Sequence, residues 1–178
     1  LGDDVNPAQL VYRFDVFALD PYTSEQIFVD ALSGDVVKSI NNIHNANTPS
    51  GGIAFYEGPS AFTSDSFGDP ADPDFRLRES GPDINTYNLA GSLDPADRED
   101  YEETDGAPFF DDEDDFIGVQ GHVIAETTYD YFFNEHGRDS YDGAGAPINS
   151  YIEVGTDFAN AFWDPNPAVR SMFYGNGD

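Results

Sequence analysis

One stretch of the chain, Phe116 to about Gly137, carries apolar residues at helical spacing over a length that makes a convincing helix. Ile117, Val123, Ile124, Tyr131 and Phe132 supply the spacing. Acidic residues from Asp111 to Asp115 precede it, at the positive end of the helix dipole. Gly137 suits the C-terminal cap, with His136 and Arg138 at the negative end. The cluster Tyr129, Tyr131, Phe132 and Phe133 is expected to pack into a core. The rest of the chain breaks into short runs of β-branched and aromatic residues separated by turn clusters. The expected class is therefore α+β: a small antiparallel sheet, then a β-rich region with one long helix, about 116–137.

The first run is Val11 to Phe17, with Tyr12, Phe14 and Val16 on one face and Arg13 and Asp15 on the other. A hairpin follows: Gln26 to Ala31, a turn at Ser33-Gly34-Asp35, and Val36 to Ile40. Asn45 to Gly52 has no large apolar residue to bury and reads as an exposed linker. This predicts a first region over 1–45, a linker over 46–52 and a second region over 53–178. Candidate strands in the second region are Ala54-Phe55-Tyr56, Ala61-Phe62-Thr63, Phe75 to Arg78, Ile84 to Tyr87, Ile148 to Val154 and Met172-Phe173-Tyr174. Between Asp94 and Asp115 the chain is acidic and low in complexity, interrupted by Phe109-Phe110.

Charge narrows the partners. Thirty-five acidic residues face seven basic ones, a formal net charge of -28. Nucleic acid and anionic membranes are excluded as partners by like-charge repulsion. An aromatic content of 15% sets the chain apart from a disordered acidic tail, because those rings can fill a core. The acidic surface fits adaptation to high salt. Without cysteine there is no disulfide and no thiolate metal site. Met172 is the single methionine, so Leu1 is not expected to be a native start, and both ends are expected to be cut.

The histidines are His44, His122 and His136. His122 and His136 lie about 21 Å apart on one helix at about 1.5 Å per residue, too far to share a metal. His122 and Glu126 fall on one face, but two ligands do not make a zinc site, and a packed, hydrogen-bonded His122 is expected. The sequence contains no HExxH, no G-x-S-x-G and no phosphate-binding loop. Calcium takes oxygen ligands from closely spaced carboxylates, and Glu102, Glu103 and Asp105 beside Gly106 are the candidates.

Three blocks occur in a telling order: Tyr129-Asp130-Tyr131-Phe132-Phe133 through Ser140-Tyr141-Asp142, then Asn160-Ala161-Phe162-Trp163, then Met172-Phe173-Tyr174-Gly175-Asn176-Gly177. They resemble the thermolysin-like (bacillolysin, vibriolysin) zinc metallopeptidases. Arg76-Leu77-Arg78-Glu79 and Ile84 to Asn88 are similar to that family's N-terminal β-rich region. Leu10 to Phe14 with Val29 to Val37 is similar to the C-terminal part of its PepSY-type propeptide.

The resemblance implies a piece of a secreted zinc metalloendopeptidase precursor. Propeptide and catalytic domain would contact one another, maturation would occur near 46–52, and the substrate would be a peptide or protein. Asn160 and Ala161 would hold the substrate backbone, and Phe162 and Trp163 would wall the cleft. No catalytic residue and no zinc ligand falls within the chain, which would stop short of the HExxH helix. Zinc would belong to the parent enzyme, with calcium possible beside it. A second reading, from a different class, is a non-catalytic acidic extracellular module that binds or inhibits proteases.

The charge makes a direct prediction. Raising salt from about 0.1 M to about 1 M shortens the screening length from about 10 Å to about 3 Å and should raise the melting temperature. A melting temperature unchanged over that range contradicts the self-repulsion argument.

Overall fold

The computed structural model describes residues 10–19, 22–41, 46–69 and 72–177. The chain divides into two compact units, Leu1–His44 and Asn45–Asp178.

The first unit is a three-stranded antiparallel sheet of β1 (Val11–Leu19), β2 (Tyr22–Asp30) and β3 (Val36–Asn41), in that order. The hairpin between β2 and β3 turns where its sequence indicates. Asp30 Oδ1 accepts hydrogen bonds from the backbone of Leu32 and Ser33, both at 2.7 Å, and Gly34 adopts a φ of +80°. Tyr12, Phe14 and Val16 are all exposed.

Along the second unit run β4 (Ala46–Ala54), β5 (Gly58–Asp69), β6 (Asp72–Arg76), β7 (Arg78–Glu79), β8 (Ile84–Asn88), β9 (Glu99–Asp100), β10 (Glu102–Glu103) and β11 (Phe109–Phe110). Helix α1 (Phe116–His136) follows, then β12 (Ile148–Val154), β13 (Ala161–Asp164) and β14 (Ser171–Gly175). Five strands form one sheet in the order β10-β6-β5-β4-β11. A second sheet has the order β13-β14-β12-β8-β7, with β9 also paired to β8. In it β12 is parallel to both β8 and β14, while β13 is antiparallel to β14 and forms the sheet's edge.

The N-terminal half of α1 joins the two sheets. Val119 and Val123 enter a core with Ala54, Phe62, Phe75, Leu77, Phe110 and Ile152. Leu77 and Phe110 are fully buried, and burial of each such side chain stabilises by about 1.5–3 kcal/mol. Two helix glycines permit close approach. A Cβ at Gly118 would lie 2.7 Å from the Tyr101 ring, and one at Gly121 would lie 2.7 Å from Ile152 Cδ1. The helix ends at Gly137, in the left-handed conformation, whose N–H reaches Phe133 O at 2.9 Å. Among the described residues no helix is long and apolar enough to cross a membrane.

The structure departs from the sequence expectations at four places. Residues 46–52, expected as a linker, lie in β4, paired along its whole length with β5. Their small side chains serve close packing: a Cβ at Gly52 would meet Phe110 O at 2.7 Å, and one at Gly51 would meet the Phe109 ring at 3.0 Å. The expected strand Ala54-Phe55-Tyr56 is only the end of β4 leading into a turn, tied to α1 by Phe55 N–H donating to Phe116 O at 3.1 Å. The acidic stretch 94–115 is not featureless. It holds β9, β10, β11 and two short 3-10 helices, Pro95–Asp97 and Glu113–Asp115. Finally, Tyr131, Phe132 and Phe133 are 56%, 41% and 46% exposed instead of in the core, because only the first half of α1 is covered.

Candidate functional site

The edge strand β13 is positioned from below and from the side. Across the second sheet Tyr87 lies opposite Tyr151, Tyr151 opposite Phe173, and Phe173 opposite Phe162. Their rings stack in a ladder over four strands, with centroids 5.5, 4.9 and 4.9 Å apart. Such aromatic pairs contribute about 0.5–1.5 kcal/mol each beyond area burial. The Arg78 and Arg98 guanidinium groups close the far end, 5.0 and 5.3 Å from the Tyr87 ring centroid.

The segment before β13 is held by the chain's final turn. Gly175 N–H donates to Asn160 O at 2.8 Å, and Gly177 N–H donates to Phe158 O at 3.3 Å. A Cβ at Gly175 would collide with the Phe158 carbonyl and one at Gly177 with the Ala159 backbone, so the Gly-Asn-Gly turn needs both glycines. Asn160 is exposed, and its Oδ1 accepts from Ala161 N–H at 2.9 Å, which leaves the amide NH2 without a partner among the described residues. Of the four residues expected at a substrate edge, Ala161, Phe162 and Trp163 lie in β13 and Asn160 immediately precedes it.

Trp163 points to the opposite face from Phe162, as strand alternation requires. It packs edge-on against Tyr141, centroids 4.9 Å apart. The turn after α1 brings Tyr141 there: Arg138 Nη2 donates to Tyr141 O, Tyr129 OH donates to Asp139 Oδ1 at 3.0 Å, and Ser140 Oγ donates to Ala146 O at 2.6 Å. Beside Trp163 a cavity of about 330 Å³ opens between α1 and the sheet, lined by Ile124, Thr128, Phe132, Ile148, Met172 and Tyr174 among others. The Tyr129–Tyr141 block and the Asn160–Trp163 block, 31 positions apart at Tyr129 and Asn160, are thus two walls of one place.

His122 is fully buried and held at both ring nitrogens. Nδ1 lies 3.0 Å from Thr86 Oγ1 and Nε2 lies 2.9 Å from Thr63 O. A carbonyl only accepts, so Nε2 carries the proton and Thr86 donates to Nδ1. Burial holds the imidazole neutral, its pKa lowered to about 4. Glu126, on the same helix face, accepts from Thr63 N–H at 3.0 Å. His122 is thus not available as a metal ligand, and Glu126 commits one carboxylate oxygen to β5. His136 is exposed at the end of α1, and His44 lies outside the described residues.

The carboxylates group differently from their spacing in sequence. Glu102 and Asp105 are exposed, and Asp105 Oδ1 caps Ala107 N–H at 2.8 Å. Glu103 points elsewhere and meets Asp112 and Asp115, with one oxygen from each of the three within 4.8 Å of the others. An all-oxygen set of this kind does not fit a peptidase zinc, which needs imidazole nitrogen, and among the described residues no other such cluster occurs. The zinc of the family thus has no fitting ligand set among them.

A sheet edge of this kind, with an amide side chain at its start and an aromatic wall beside it, is the geometry to which an extended segment can add as a further strand. Comparison with known proteins places the chain in a family. Residues 64–178 match the thermolysin metallopeptidase catalytic domain, and the chain belongs to that family. It is 33% identical to a bacillolysin of Brevibacillus brevis over 178 residues, covering 95% of this chain and 30% of that protein. It is 32% identical to an extracellular elastase of Staphylococcus epidermidis over 175 residues, covering 94% of this chain and 32% of that protein. The chain thus spans about a third of the length of these relatives. A solved precursor of protealysin from Serratia proteamaculans is 23% identical, with a TM-score of 0.42 over 53% of this chain and 27% of that one.

The neutral state of His122 has a sign that can be checked. Its folded pKa lies below the unfolded 6.5, so its contribution is fully present above that pH and is lost as pH falls towards about 4. Replacing it, His122→Gln, should destabilise most above pH 6.5, and the gap from wild type should narrow by up to about 3 kcal/mol on acidification. Unfolding curves at several pH values measure this, and a gap constant with pH contradicts it.

Proposed function

We propose that this chain serves within a secreted zinc metalloendopeptidase precursor. Residues 46–178, β4 included, are the N-terminal part of the catalytic domain, and residues 1–45 are the end of a PepSY-type propeptide. The observation that carries this reading is the edge strand β13, opened by Asn160 and walled by Trp163, inside a chain of this family. Zinc would polarise the attacking water and the scissile carbonyl in the parent enzyme, on ligands supplied outside this sequence, which has no HExxH.

The residues of this chain do the holding. The free edge of β13 pairs with the substrate backbone, and the Asn160 amide NH2 donates to a substrate carbonyl. Phe162 and Trp163 exclude water from that edge. The pairing of β4 with β5 from Ala46 onwards moves the expected maturation bond N-terminal to Ala46, because a protease needs an extended, unpaired backbone.

Translation of the gene beyond Asp178 tests the reading: an HExxH within a few dozen residues and a glutamate ligand after it are expected, and a stop codon there contradicts it. In that gene's product, Asn160→Ala and Asn160→Asp should each lower kcat/KM by about 10-fold or more with zinc content unchanged, since the aspartate keeps the bond to Ala161 but loses the donor. Unchanged kcat/KM in both variants removes Asn160 from the substrate edge.

A further inference from the structure

The carboxylates of Glu103, Asp112 and Asp115 converge where α1 begins. Glu103 comes from the edge strand β10, held on β6 opposite Phe75. Asp112 and Asp115 stand at the N-cap positions of the 3-10 helix Glu113–Asp115 and of α1, yet neither side chain caps its helix. The expected work of an aspartate at a helix start is thus given up. Instead Asp115 faces Glu103, with a carboxylate oxygen of each within 4.8 Å of the other.

Glu103 is the telling member. It is only 8% exposed, and its Oε1 is buried without a hydrogen-bond partner. A buried, unpartnered carboxylate oxygen is costly unless something positive meets it. Among the described residues no ion pair to Glu103 is found, and Arg76 and Arg78 pair with Asp65 and Asp100. Burial, with Asp115, Asp105 and Asp112 around it, pushes the Glu103 carboxyl up to about 7.

We propose that Glu103, Asp112 and Asp115 bind one hard divalent cation, with calcium the best fit, and so fasten β10 to the start of α1. Three carboxylates, mono- or bidentate, supply three to six of the six to eight oxygens that calcium takes, and water reaches the rest past exposed Asp112. Magnesium is disfavoured because it keeps its own water shell and demands octahedral geometry. The site shares only Glu103 with the local run Glu102, Glu103 and Asp105, and it does not depend on the peptidase reading.

Calorimetric titration of the full 178-residue chain with calcium chloride tests this, in high sodium chloride to screen diffuse binding. One saturable site per chain is expected, with affinity reduced at least 10-fold in both Glu103→Gln and Asp112→Asn, and with magnesium binding more weakly. Calcium at saturation should also raise the melting temperature of the wild type by several degrees and leave both variants unmoved. Asp112 is exposed, so its variant should fold even if the Glu103 variant does not. Absence of a saturable site, or wild-type affinity in Asp112→Asn, overturns the proposal.

Discussion

His122 is the interaction on which the second unit depends. Its two ring nitrogens bind Thr63 in β5 and Thr86 in β8, strands of different sheets, from a helix that packs on both. The ring is fully buried and also meets Phe62 edge-on, centroids 5.7 Å apart. A charged imidazole would be expensive there, and the two hydrogen bonds fix the neutral tautomer. Around this point Gly118 and Gly121 let the helix sit close enough for Tyr101 and Ile152 to touch its backbone cylinder. The placement of α1 in turn sets one wall of the cavity beside Trp163.

From this anchor the second sheet carries order outward to its edge. Tyr87, Tyr151, Phe173 and Phe162 form a continuous stack from β8 to β13, so the edge strand is held by rings as well as by its pairing with β14. The final turn holds Asn160 by a hydrogen bond from Gly175 N–H to its carbonyl. Bulky aromatics on the exposed half of α1, Tyr131, Phe132 and Phe133 among them, leave apolar surface open on the helix.

Local signals made much of this legible in the sequence. Helical spacing and Gly137 marked α1 to within a residue or two, β-branched runs marked β8 and β12, and the Gly34 turn marked the first hairpin. The order of the Tyr129, Asn160 and Met172 blocks pointed to the family. Non-local facts were not legible. Gly51 and Gly52 read as a linker because nothing local shows that Phe109 and Phe110 will pack on them. The aromatic ladder needs strand register, which composition does not carry. Glu103 looked like a neighbour of Glu102 and Asp105, yet strand alternation turns it away from Glu102, and the chain returns nine positions later to bring Asp112 beside it. The half-exposed rings of α1 read as core because periodicity reports an apolar face and says nothing of what covers it.

The central claim is that this chain supplies the peptide-holding edge of a zinc peptidase while the metal is held elsewhere. Zinc titration of the 178-residue chain tests it most directly, with calcium present at saturation to occupy the acidic cluster. The account predicts no tight one-to-one zinc binding, since both nitrogens of His122 are engaged and, among the described residues, no imidazole converges with the carboxylates. Tight, stoichiometric zinc binding accompanied by peptide hydrolysis would contradict it.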